Sequence, residues 1–97
     1  MTQREFLIRG RLVRLGLEGL ADVVLASEMA WEDVKAMAVF AALAIDEAKA
    51  GRVPVAAMNA LAHDSTVPDA VYHQLYELIT LAITDASAQI PPNGRLH

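Results

Sequence analysis

Side chains able to carry chemistry are few in this chain, and their spacing favours structural roles. His63 precedes Asp64, a pair that can orient an imidazole for general-base work when a nucleophile stands within reach. Here the pair falls at an expected helix end, where a His commonly takes up the last free carbonyls, so the capping role is the reading adopted. His73 falls on the polar face of the last expected helix and His97 is terminal; no two His stand three or four apart, the helical spacing of a metal site. Cysteine is absent, which removes thiolate nucleophiles, disulfides and thiolate zinc sites. Glu28, Glu32, Asp33, Asp46 and Glu47 read as solvated faces and first-turn charges of the second helix. Gly10, Gly16 and Gly19 follow no strand and make no phosphate loop. No catalytic, cofactor-binding or metal-binding residue is assigned, and the chain is expected not to be an enzyme.

Nucleic acid is the next class to weigh. Residues 54 to 88 have the outline of a helix-turn-helix, a short helix and a turn followed by a longer helix. From Val53 through Gly94, however, there is no Lys or Arg, whereas Asp64, Asp69, Glu77 and Asp85 all fall in that span. Phosphate contacts dominate affinity for DNA, and carboxylates oppose them. The basic residues gather instead at the start, as Arg4, Arg9, Arg11 and Arg14, with Arg9 pointing away from the other three on a helical wheel. A membrane-surface role for that first segment is opposed by Glu18 and Asp22 on its polar face. The longest uncharged helical stretch, Ala36 to Ile45, is too short to cross a bilayer. Neither nucleic acid nor membrane is expected as a partner, and a cytoplasmic location fits best.

What stands out is apolar content. The chain has 97 residues, 55% of them hydrophobic, with a formal charge of −4. Counted with the five Gly and without the two Tyr, the apolar share is roughly 58%, against about 45–50% for an ordinary globular domain. A chain this short buries only about 60–65% of its unfolded surface when it folds alone. Some of the surplus must therefore face outward or face another chain.

The elements that hold these residues read as a small all-α bundle of about four helices (3–26, 31–50, 54–63, 67–88) in a single domain, with 89–97 as a flexible tail. Thr2 and Glu5 form a capping box, so the first helix starts near residue 3. Phe6, Gly10, Val13, Leu17, Leu20 and Val24 recur at steps of four and three and make its core seam. Ile8, Leu12, Leu15, Gly19 and Val23 make a second apolar face. The glycines admit two readings, a close helix approach across Gly16 and Gly19 or a break near residue 16. Ser27 is the N-cap candidate for the second helix, with one uninterrupted helix from 3 to 50 as the alternative.

The second helix buries Val34, Met37, Ala38, Ala41, Ala44, Ile45 and Ala48 and stops at Gly51 before Pro54. Val39, Phe40 and Leu43 lie off its stripe. Pro54 opens a third helix carrying Val55, Met58, Leu61 and Ala62. Thr66 and Asp69 mark the start of the last, whose apolar arc is Val71, Tyr72, Leu75, Leu78, Ile79, Ala82, Ile83 and Ala86.

Two faces are thus left over. Ile8, Leu12, Leu15, Gly16, Gly19 and Val23 are assigned to a homodimer interface, and Trp31, Val39, Phe40 and Leu43 to the binding of another protein. The function expected is non-enzymatic: a small regulator or inhibitor that binds and occludes a partner protein, an antiactivator of a transcription factor first and an immunity-type inhibitor next. A structural or adaptor subunit is the alternative, and a weak helix-turn-helix DNA binder the second.

Overall fold

The computed structural model describes residues 2–88, in which the regular structure is entirely helical. Five α-helices form: α1 (Gln3–Arg14), α2 (Ala21–Ala26), α3 (Trp31–Lys49), α4 (Val55–Ala62) and α5 (Asp69–Ala88), with a single 3₁₀ turn at Glu18–Leu20 leading into α2. The tail assigned to 89–97 lies outside the described residues.

The start of α1 is the expected capping box. The Thr2 hydroxyl accepts the Glu5 N–H at 3.1 Å, and a Glu5 carboxylate oxygen lies 3.5 Å from the Thr2 N–H. Its end corrects the expectation of one helix over 3–26. Gly16 takes a left-handed φ of +75°. The Leu17 N–H then reaches back to the Leu12 carbonyl at 2.7 Å and the Gly16 N–H to Val13 at 3.1 Å. That pairing satisfies carbonyls at the helix end and turns the chain, which suits a residue without Cβ. Gly51 ends α3 in the same way, with φ +83° and the Arg52 N–H on the Glu47 carbonyl at 2.9 Å, as its position before Pro54 implies.

The break changes which side of the first segment faces inward. Along an unbroken helix Leu17 would stand nine residues, or about 180°, from Ile8. Both are fully buried. The turn at Gly16 supplies that half rotation, so the core runs from Ile8 and Leu12 on α1 to Leu17, Leu20, Ala21 and Val24 beyond it. Phe6, Gly10 and Val13, expected in the core, form the outward face of α1: Phe6 is 68% and Val13 54% exposed.

Two expected caps differ as well. Ser27 ends α2, its hydroxyl donating to the Val23 carbonyl at 2.7 Å, and Ala30 begins α3 with no side-chain cap. Thr66 turns its hydroxyl and N–H to the Asp64 carboxylate, at 2.7 and 2.9 Å, in place of a box with Asp69. The nearer acceptor wins, because an Asx-type turn closes over only two residues. These two bonds hold the Asp64 carboxyl below the ordinary value of 3.8.

α3 lies at the centre, packed against α1, α4 and α5. The seven positions of its expected stripe are all buried. On α5 the expected arc is likewise buried or half-buried, with Val71, Leu75 and Ile79 deepest. On α4 the inward residues are Ala57 and Leu61 with Met58 beside them, while Val55 and Ala62 are exposed. The smallest Cα extent, 17 Å, is that of two helix layers at about 8–10 Å between axes. In a fold two layers thick, every helix keeps one side toward solvent.

Candidate functional site

The surface on which a function can be built follows from that outward side. α3 presents Glu32, Ala36, Val39, Phe40, Leu43 and Asp46 along one exposed line, at the three- and four-residue steps that align side chains on a helix. Its middle is apolar: Val39 is 56%, Phe40 43% and Leu43 51% exposed. Its ends are acidic, with Glu32 at the start and Asp46 and Glu47 near the finish. Glu32 is engaged by Lys35 at 2.9 Å. No ion pair to Asp46 or Glu47 occurs among the described residues.

Trp31, grouped with these residues from sequence, stands elsewhere on the helix. It is half-buried against the core, with the Arg11 guanidinium 5.7 Å and the Lys35 ammonium 5.6 Å from its ring centroid. Cations over an indole face are attracted by its quadrupole. The Nε of Arg11 is buried without a hydrogen-bond partner. Arg4 reaches the Met29 carbonyl at 2.8 Å, and Gln3, Arg4, Leu7 and Trp31 line one shallow groove between α1 and α3. Trp31 is thereby a fastener of α1 to α3.

The residues assigned to a dimer interface are dispersed, and most of that assignment is corrected. Ile8 and Leu12 are fully buried within the single chain and cannot meet a second one. Val23 is half-buried against the same core. Gly16 is exposed at the helix end, and Leu15 retains partial exposure. Gly19 is the site of a close approach inside the chain: a Cβ there would stand 3.0 Å from the side chain of Leu78 on α5. Both readings of the glycines therefore apply, the break to Gly16 and the close approach to Gly19. The face of α1 that does reach solvent carries Phe6, Leu7, Gly10 and Val13 with Arg14; of these, periodicity had placed Phe6, Gly10 and Val13 in the core.

Little else converges. His63 caps α4 through Nδ1, 2.8 Å from the Asn59 carbonyl, the role read from sequence. Arg9 turns away from the other arginines to Asp22 at 3.0 Å. Among the described residues no group of three or more His, Asp or Glu is placed to hold a metal ion, and no helix is long and apolar enough to cross a membrane. An open hollow of about 540 Å³ is lined by His73, Tyr76, Glu77, Thr80 and Leu81, all from α5. Between α4 and α5 a smaller apolar groove of about 340 Å³ runs past Val53, Pro54, Met58, Tyr76 and Ile83.

Compared with protein-family models, with curated proteins and with solved structures, the chain matches none.

Proposed function

We propose that the chain is a non-enzymatic binding protein that engages another protein through the outer stripe of α3, and that it acts by covering the partner surface it binds. One observation carries this reading. The described core closes without Val39, Phe40 and Leu43, which stay about half exposed side by side on the central helix. A contiguous exposed apolar patch rimmed by charged residues is a mark of a protein–protein interaction surface. A stripe on a straight helix also favours an elongated contact, which suits a small regulator that occludes its target, such as an antiactivator of a transcription factor or an immunity-type inhibitor.

Capture from native lysate tests this, with the wild-type chain and Leu43→Asp immobilised in parallel. A protein retained in stoichiometric amount by the wild type and lost from Leu43→Asp supports the reading; equal retention by both, or by neither, overturns it. An adaptor role is favoured by a separate observation, a further exposed apolar surface formed by Val53, Val55, Tyr76 and Leu81 on the α4–α5 side. An adaptor would hold two proteins at once, one of them insensitive to Leu43→Asp and released by Tyr76→Asp.

A further inference from the structure

We infer that the free protein covers its own α3 stripe with the outward face of α1 from a second copy. Two faces of this chain match in chemistry. The α1 face is apolar through Phe6, Leu7, Gly10 and Val13 and carries Arg14; no ion pair to Arg14 occurs among the described residues, and Arg9 on the flank is already held by Asp22. The α3 stripe is apolar through Val39, Phe40 and Leu43 and framed by Glu32, Asp46 and Glu47. One is a greasy surface with a basic end, the other a greasy surface with acidic ends, of which Glu32 is already engaged by Lys35 and Asp46 and Glu47 have no ion pair among the described residues.

The symmetry of the chain allows both matches to be made together. α1 and α3 lie side by side and run in the same direction: Arg4 and Arg11 contact Met29 and Trp31 at the start of α3, and Gly16 lies beside the Lys49 ammonium at its end. A twofold axis parallel to the two helices lays α1 of each copy along α3 of the other, so every contact occurs twice and the assembly closes. Because that operation preserves direction, Arg14 arrives at the end of the second copy's α3 that carries Asp46 and Glu47. With the same axis direction, α1 on α1 would set Arg14 against Arg14, and α3 on α3 would set Asp46 and Glu47 against their own copies.

The available area is of the right size. Allowing about 150–250 Å² for a whole aromatic side chain and somewhat less for Leu and Val, the exposed fractions of Phe6, Leu7, Val13, Val39, Phe40 and Leu43 leave at most on the order of 600 Å² of apolar surface per copy. With the charged rim this approaches the roughly 800 Å² per partner of a standard interface. Since the second copy occupies the stripe assigned above to a partner protein, self-association and partner binding exclude each other; that corollary rests on the proposed function, and the dimer itself does not.

Sedimentation equilibrium of the pure protein over a range of micromolar concentrations tests the arrangement. The wild type should reach twice the mass of one chain and no more. Arg14→Glu alone, and the double variant Asp46→Lys with Glu47→Lys alone, should each weaken the dimer about tenfold or more, with unchanged circular dichroism. Mixing the two variants should restore a dimer, because in the mixed pair one α1–α3 contact carries both reversals and the other carries neither. A wild type that stays monomeric, mass that grows past two chains, variants that dimerise like the wild type, or a mixture that fails to recover would each overturn the inference. None of these results involves a partner protein, so they leave the proposed function to its own test.

Discussion

Replacing Gly16 and Gly10 by Ala in separate variants probes the break between α1 and α2 most directly. Gly10 lies in the middle of α1 with nothing within 4 Å of an added Cβ. Ala there should stabilise the chain by about 0.5–1 kcal/mol, through helix propensity and a less flexible unfolded state. Gly16 has open space too, its nearest neighbour being the Lys49 ammonium at 3.9 Å, but its φ is +75°. An L-residue in that conformation is destabilised by about 1–2 kcal/mol. The same methyl group therefore acts with opposite sign at two positions six residues apart. For a domain of this size each kcal/mol moves the midpoint by about 4–8 °C, so the two variants, about 1.5–3 kcal/mol apart, should be separated by roughly 6–24 °C with the wild type between them. Thermal unfolding followed by calorimetry and far-ultraviolet circular dichroism, in dilute protein, reads this out. If Gly16→Ala raised the midpoint as Gly10→Ala does, the first segment would be one continuous helix and the half rotation that puts both Ile8 and Leu17 in the core would be refuted.

The inward face of α1 is tested by a neighbouring pair. Leu12→Ala, at a fully buried position, should lose about 2–5 kcal/mol in urea unfolding of dilute protein, whereas Val13→Ala should stay within about 0.5 kcal/mol; equal losses would mean the wrong stripe has been placed inside. Asp64→Ala addresses the turn before α5. Bonds from the Thr66 hydroxyl and N–H hold the carboxyl below 3.8, so the stabilisation it contributes is present above that value and disappears as pH falls through the lowered folded one. The wild type should thus be more stable than Asp64→Ala at neutral pH, with the difference closing in strong acid; a difference independent of pH would show that the charge of Asp64 is not what holds the turn.

Much of this fold is legible in the amino-acid order because most helices have one apolar face and a chemically marked end. α3 offers a single stripe of small and apolar residues and a Gly followed by Pro, so its inward side and its stop follow from period and backbone chemistry alone. The arc of α5 and the Thr2–Glu5 box are of the same kind. α1 is different. Phe6, Gly10 and Val13 recur at helical spacing just as Ile8 and Leu12 do, and both sets are apolar. Joining the first set to Leu17, Leu20 and Val24 across Gly16 selects the wrong side, because a left-handed residue resets the phase that the periodic argument carries forward.

The candidate surface was legible to the same extent. Val39, Phe40 and Leu43 fall off a well-defined stripe and are exposed, whereas Trp31 shares their helix but is drawn aside by Arg11 and Lys35. The outward α1 face was missed, since no local pattern tells an apolar stripe that meets α2 and α3 from one that meets water. Sequence by itself determined the helical class, the stripe of α3, the stop at Gly51 and the shortage of groups for chemistry, all of which depend on neighbours within a few residues. Tertiary structure alone decided which face of α1 is core and which reaches solvent, because that choice is made by helices distant in the chain competing to cover it.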